Sequence, residues 1–491
     1  MLKHKEYNLT TQAVFIFISK FIQILFQFLV PVILIRILSQ TDYGIYQKVL
    51  FFTALAIPLF QFHFTASLYY FFPISKKINQ LNEFISQTYY QLLVICVFAS
   101  ITILISLFFL ESYFEDKIFY RYIYQILAII FFTVCSSILE NIFILEKKSK
   151  LVVIVTSVDK FLRTSLLLVI ISIYQTIELA LLALIIHGFL RFIFLTIYLF
   201  KNYKLNILLI KIANLKTQWN YVMPMGLGLF IGVLGKNADK LILVWLLTNS
   251  DFALYTIGNL SIPLIATVYI SIGNVIMPEL AKYSINKDLD KSLILWKSMI
   301  IKNSIITIPV LFFFIIQAKE IFIVLFTNSY ADSANVFRII VLTLLIQMLG
   351  YGYVLRAFGK TKKILIAKIY RTTLSLLVGY FLIKNFGIIG AALTFLFSYF
   401  VNAIIQLIET KKLLKVSLKE YLPWLDFAKL LGISIIPSII IIYTNSLNWP
   451  AIQILFFNAL IYFGILILLL YYFNYLKKFG YEKILKNILS K

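Results

Sequence analysis

Charged residues sit inside long apolar runs of this chain, and their spacing sets what chemistry it could do. Lys20 lies in the first run, Asp159, Lys160 and Arg163 share a later one, and His187 and Arg191 lie in the next. Lys236, Asp239 and Lys240 share another run, and Lys302 stands in a further one. On a helix, residues four apart lie on one face. Asp159 with Arg163, His187 with Arg191, and Lys236 with Lys240 are therefore same-face pairs. A charge at mid-bilayer costs roughly 2.5–3.5 kcal/mol, so each is a functional candidate by default. The balance is cationic, which suits an anionic group in a low-dielectric cavity. The candidates for holding that anion are Lys20, Arg163, Arg191, Lys236, Lys240 and Lys302. Lys20 and Lys302 stand first, because neither has a carboxylate within one helical turn.

Plainer roles compete with each of these. Asp159 with Arg163, and Asp239 with Lys236, read equally well as structural ion pairs. The same two aspartates are candidates for coupling to Na⁺ or H⁺, although a carboxylate paired to a cation is a poor proton carrier. His187 reads first as a hydrogen-bonded packing residue. Lys368 and Arg371 read as snorkelling cations near the inner surface. Arg36 reads as an interfacial anchor. Cys96 and Cys135 lie within apolar runs and read as small buried residues rather than a disulfide or metal pair. No residue is read as catalytic or as a metal ligand. Walker A, zinc-ligand and G-x-S-x-G patterns do not occur.

The elements that must position these charges are membrane helices. The chain has 491 residues, of which 61% are hydrophobic and 13% charged, against roughly 25% charged in a soluble protein. Apolar runs long enough to cross a bilayer recur from end to end. None shows sustained strand-like alternation, which counts against an outer-membrane barrel. The net charge of +24 would suit a nucleic-acid partner. That reading is rejected, because the lysines cluster between apolar runs, where the positive-inside rule puts them. The first run is too long for a cleavable signal peptide and lacks a small-residue cleavage site.

The pattern predicts an all-α polytopic membrane protein of about 14 transmembrane helices. The spans include Ile45 to Phe72, Tyr122 to Leu145, Trp219 to Leu247, Phe252 to Leu280, Ala334 to Leu355, Ile364 to Ile383 and Ile388 to Ile408. Lysine-rich segments alternate with loops carrying little beyond Lys117, Lys319 and Lys384, which places both termini in the cytoplasm. Residues 1–200 form an N-terminal lobe of six helices. Residues 201–218 form a cytoplasmic amphipathic linker. Residues 219–410 form a second six-helix lobe, and 411–491 hold two extra helices and a basic tail. The outward segment from Gln317 to Asp332 holds a short apolar piece, Ile321 to Phe326, read as interfacial.

An internal repeat supports the lobes. Ser39-Gln40-Thr41-Asp42-Tyr43-Gly44 aligns with Thr248-Asn249-Ser250-Asp251-Phe252-Ala253, and Tyr46 aligns with Tyr255. Pro58 and Pro73 share their mutual spacing with Pro263 and Pro278. A period of about 209 residues is of the kind transporter halves show. The outer loops are short, with no folded domain to hold chemistry on that face. The chain therefore reads as moving a substrate rather than transforming it.

Two stretches carry a family resemblance. Leu34 to Tyr46, and Asn237-Ala238-Asp239-Lys240-Leu241-Ile242-Leu243 leading into Asp251 to Tyr255, resemble the Wzx-type polysaccharide and O-antigen flippases. These belong to the multidrug/oligosaccharidyl-lipid/polysaccharide exporter superfamily. The resemblance covers the whole chain in length, helix count and lobe layout, and its degenerate motifs specify the superfamily better than the substrate. It implies two six-helix lobes related by a pseudo-two-fold repeat, plus two C-terminal helices. It implies a non-enzymatic flippase that carries an undecaprenyl-pyrophosphate-linked oligosaccharide from inner to outer leaflet by alternating access, for surface polysaccharide (lipopolysaccharide) biosynthesis. The cationic residues would then hold the pyrophosphate.

No cofactor is implied beyond Na⁺ or H⁺ coupling. The setting implied is a bacterial cytoplasmic membrane, with a polysaccharide polymerase and glycosyltransferases as partners. The family's usual glycine in the second turn is Ala253 here, which matters only if that backbone needs positive φ. The rivals are a lipid II flippase, a multidrug exporter, a membrane glycosyltransferase or polymerase, and a non-transporting scramblase or scaffold. A basic lumen counts against a drug exporter, and short outer loops against an enzyme. A scaffold would tolerate loss of the lumen charges.

Overall fold

A computed structural model of the protein describes Phe26 and residues 28–110, 118–207, 211–260, 262–447 and 449–475. Among these residues the regular structure is helical, with no strand. The chain clusters into two compact units. The first contains residues up to 234 together with 248–253, and the second contains 235–247 and everything from 254 onward.

The first unit is built from α1 (Phe28–Ile37), α2 (Gln40–Gln61), α3 (Phe64–Lys77), α4 (Leu81–Leu110), α5 (Ile118–Cys135), α6 (Leu139–Leu145), α7 (Ser149–Tyr174), α8 (Ile177–Tyr203) and most of α9 (Ile212–Lys236). The second is built from α10 (Ala238–Leu246), the end of α11 (Asn249–Gly258), α12 (Pro263–Ile285), α13 (Leu289–Ile316), α14 (Ala318–Phe326), α15 (Ser333–Val341), α16 (Thr343–Gln347), α17 (Tyr353–Ala357), α18 (Thr361–Leu414), α19 (Leu418–Tyr421), α20 (Trp424–Thr444) and α21 (Ala451–Tyr472). Eight stretches of described helix are long and apolar enough to cross a membrane. Their outward side chains include Phe456, 68% exposed, and Leu468, 70% exposed. An apolar surface of that kind belongs in lipid.

Several predicted helices are interrupted. The span from Ile45 breaks between α2 and α3, where Phe62 and His63 adopt left-handed backbone at φ 41° and 61°. The span from Tyr122 breaks between α5 and α6, and the span from Trp219 breaks at Asn237. The span from Phe252 breaks before Pro263, which takes the first helical position of α12. The span from Ala334 is divided into α15, α16 and α17. An apolar run shows that a segment crosses lipid, but not whether its hydrogen-bond ladder is continuous. The predicted boundary between Ile383 and Ile388 falls inside α18, where Gly387 takes φ 55° and ψ −132°. Without a Cβ, glycine alone adopts that turn at low cost. The piece read as interfacial lies in α14, which buries Ala318, Phe322 and Phe326 and packs on α15 and α21.

The repeated polar turn is a helix cap in both copies. The Ser39 hydroxyl accepts from the Asp42 backbone N–H at 3.1 Å and donates to its carboxylate at 2.7 Å. Thr248 Oγ1 accepts from the Asp251 N–H at 3.2 Å, and the Asp251 carboxylate accepts from the Thr248 N–H at 3.2 Å. The second copy closes the reciprocal capping box, and both satisfy donors that a helix start leaves open. The prolines do not repeat a common device, because Pro58 lies inside α2 before the α2–α3 break whereas Pro263 opens α12 after the α11–α12 break. Ser39→Ala and Thr248→Ala should each cost about 1 kcal/mol, read as a fall in melting temperature of the purified protein.

A buried amide network ties three helices of the first unit together. Gln218 on α9 is 1% exposed. Its amide nitrogen donates to Ser67 Oγ on α3 at 2.9 Å and to Thr88 Oγ1 on α4 at 3.2 Å. Its oxygen accepts from Gln87 Nε2 at 2.8 Å. Removing that amide strands polar groups away from water. Gln218→Ala should therefore destabilise the protein by about 1–3 kcal/mol, whereas Gln218→Glu keeps the shape but gives up both donated bonds and brings a carboxylate into a buried site. Melting curves of both variants would check this, and an unchanged Gln218→Ala would refute it. In the second unit, α20 and α21 pack on α13 around Leu430, Ile433, Ile441 and Leu466. The Tyr462 hydroxyl donates to the Pro309 carbonyl of α13 at 2.8 Å, which keeps that hydroxyl satisfied among apolar side chains.

Candidate functional site

Helices α2, α5, α7 and α8 of the first unit line a cavity of about 280 Å³. Its apolar wall includes Leu50, Ile57, Ile129 and Leu184. Its polar wall includes Lys160 and Arg163 from α7 and His187 and Arg191 from α8, with the hydroxyls of Thr53, Thr133 and Ser136. The structure thus brings Arg163 and Arg191, two of the sequence candidates, to one cavity. Gly188 of α8 lies at that wall, and a Cβ there would stand 3.0 Å from the Phe132 side chain.

Asp159 is paired differently from the same-helix expectation. Its Oδ1 lies 2.9 Å from His187 Nε2, and its Oδ2 lies 3.3 Å from Arg191 Nη1 and 3.4 Å from Lys160 Nζ. The bonds to His187 and Arg191 cross from α7 to α8, whereas Arg163 makes no ion pair with a carboxylate among the described residues. Helical arithmetic puts Asp159 and Arg163 on one face, but the adjoining helix offers better-placed donors. His187 is 7% exposed, hydrogen-bonded to Asp159, and also lines the cavity. Asp159, Lys160 and Arg191 also line a smaller space, about 40 Å³, beside Glu140, so the ion cluster separates two voids.

The other candidates lie elsewhere. Lys20 is outside the described residues. Lys236, Asp239, Lys240 and Lys302 belong to the second unit. The break at Asn237 separates Lys236, which is exposed, from Lys240, which is half-buried. Asp239 is 2% exposed and accepts from the Tyr255 hydroxyl, not from Lys236. The Tyr255 oxygen in turn accepts from Asn259 Nδ2 at 3.2 Å. Lys302 is half-buried on α13. The Cys96 and Cys135 thiols are free, buried and 3.4 Å apart.

Three further cations take places that residue type and spacing alone do not give. Lys160 stands beside Asp159, and only the fold shows that it faces the cavity. Lys48 lies within a predicted apolar helix and is 2% exposed. Arg371, read as snorkelling, holds its guanidinium 4.8 Å above the Tyr399 ring and donates to Ser398 Oγ at 3.1 Å.

Residues 9–284 match the family model described as polysaccharide biosynthesis protein. No curated protein matches in sequence. Among solved structures, the lipid II flippase MurJ in an inward closed conformation is similar with a TM-score of 0.70 at 15% identity, over 94% of this chain and 99% of that one. An inward-facing multidrug resistance MATE family transporter of the MOP superfamily is similar with a TM-score of 0.61 at 14% identity, over 83% and 99%. A mutant of the Vibrio cholerae MATE transporter VcmN gives 0.53 at 13%, over 84% and 98%. At these identities the likeness is one of fold.

Proposed function

Because the chain belongs to the family of polysaccharide biosynthesis proteins, we propose that it is a flippase for an undecaprenyl-pyrophosphate-linked oligosaccharide. In this reading it works by alternating access in a bacterial cytoplasmic membrane, with both termini in the cytoplasm, and supplies a surface polysaccharide pathway. The observation that carries the reading is the cavity of the first unit, where Lys160, Arg163 and Arg191 meet between apolar walls. A pyrophosphate needs several cations with fork-shaped donors when water is scarce. The glycan would occupy the lumen, while the prenyl chain stays in lipid. Lys20, Lys236, Lys240 and Lys302 remain the further cations proposed for the path, and residues 1–200 and 219–410 the proposed lobes. No covalent step is needed, so the protein is not proposed as an enzyme. Polymerase and glycosyltransferases would act before and after it.

Ion coupling is proposed at Asp239 rather than Asp159. Asp239 is buried and accepts its side-chain hydrogen bond from a neutral hydroxyl, whereas Asp159 is committed to cations. A cationic drug as cargo would meet like charge in the cavity. Lipid II would not, since it also carries a pyrophosphate. Transbilayer movement in vesicles containing the purified protein tests the reading, with three cargos: a fluorescent pyrophosphate-linked oligosaccharide lipid, lipid II and a cationic dye. Movement of the first above the other two is expected. Movement of the dye alone, or of none, would overturn the proposal, and lipid II moving fastest would replace the cargo.

A further inference from the structure

The Arg191 guanidinium is incompletely used. It gives Asp159 one N–H, from Nη1 at 3.3 Å, while its buried Nε finds no hydrogen-bond partner among the described residues. Arginine binds an oxyanion best through two adjacent N–H groups, and a buried donor left unpaired marks a missing acceptor. Asp159 meanwhile spreads its two oxygens over His187, Arg191 and Lys160. Lys160, Arg163 and Arg191 line the cavity and no described carboxylate does, so positive charge is in excess there. A pyrophosphate diester carries two negative charges.

We propose that Asp159 is the resident counter-anion of the phosphate site. Its carboxylate holds Arg191, His187 and Lys160 when the cavity is empty. Substrate phosphate takes over the Arg191 fork, and the return of Asp159 helps expel it. The inference rests on the flippase reading above. Asp159 lines the smaller space rather than the cavity itself, and the inference explains why a carboxylate backs the cations of a site built for an anion. Without it the unliganded cations would repel one another across α7 and α8, and a phosphate once bound would leave slowly. Linkage makes the competition reciprocal: whatever binding to Asp159 weakens, loss of Asp159 strengthens.

The test uses the full chain in nanodiscs, with farnesyl-pyrophosphoryl-N-acetylglucosamine as probe. Binding and vesicle translocation are measured for wild type, Asp159→Asn, Asp159→Glu and Arg163→Ala. Asp159→Asn should bind the probe about tenfold or more tightly, within the usual range of couplings between sites, and translocate more slowly. Asp159→Glu should restore both values toward wild type, and Arg163→Ala should bind weakly. If the asparagine is not tolerated, Asp159→Ser keeps an acceptor for His187 and reads the same change. Equal or weaker binding by folded Asp159→Asn, with Arg163→Ala still impaired, would overturn the counter-anion and leave the flippase reading standing. No binding by wild type, with no effect of Arg163→Ala, would overturn both.

Discussion

Arg163→Ala should reduce translocation of a pyrophosphate-linked glycolipid by about 10- to 100-fold, which corresponds to losing one charged hydrogen-bonding partner worth about 1.5–3 kcal/mol. Arg163 lines the cavity from α7 and makes no ion pair with a described carboxylate. Its removal therefore strands no buried counter-charge. The melting temperature should stay close to that of wild type, which separates a binding defect from a folding defect. Arg163→Lys should retain part of the rate, because it keeps the charge and loses the planar fork. Arg191→Ala should look different: it leaves Asp159 short of a partner, so stability falls together with transport. A vesicle assay with melting curves alongside would show both patterns. An Arg163→Ala protein that moves lipid at the wild-type rate would remove this cavity from the path.

Much of the architecture was legible because a bilayer enforces it. Each crossing segment must satisfy its backbone internally, so apolar length reads directly as helix. The repeat was legible because it is a local device, Ser39 capping through Asp42 and Thr248 through Asp251, and caps are written in adjacent residues. Breaks at His63 and Asn237 were not, because neither residue announces one and the apolar run continues through both.

The candidate site divides along the same line. Sequence could place Asp159 and Arg163 on α7 and His187 and Arg191 on α8. It could not give the rotation of one helix against the other, and that rotation sends Asp159 across to His187 and Arg191. The partners of Arg371 were out of reach for the same reason, since Tyr399 and Ser398 lie on the stretch of α18 beyond Gly387.

Gly44→Ala should lower the melting temperature sharply, against the usual effect of the exchange. In a helix interior, alanine normally exceeds glycine in stability by roughly 0.5–1 kcal/mol. Gly44 lies in α2, where a Cβ would stand 1.8 Å from the carbonyl oxygen of Asn249, whose segment clusters with the first unit. The obstacle is backbone, which has no rotamer to escape into. Overpacking of cores costs typically 1–3 kcal/mol even where side chains can shift, so a loss at or beyond the upper end, about 3 kcal/mol, is expected. Ala253, the equivalent in the second copy, has no positive φ and lies buried in α11. Its departure from glycine is therefore tolerated, and Ala253→Gly should cost about 1 kcal/mol for helix propensity alone. Two positions that the repeat aligns thus demand opposite residues, for a reason of space rather than of backbone conformation. Melting curves of Gly44→Ala and Ala253→Gly would show it as a steep fall in the first and a shallow one in the second. A Gly44→Ala protein as stable as wild type would mean that the close approach to Asn249 is not made.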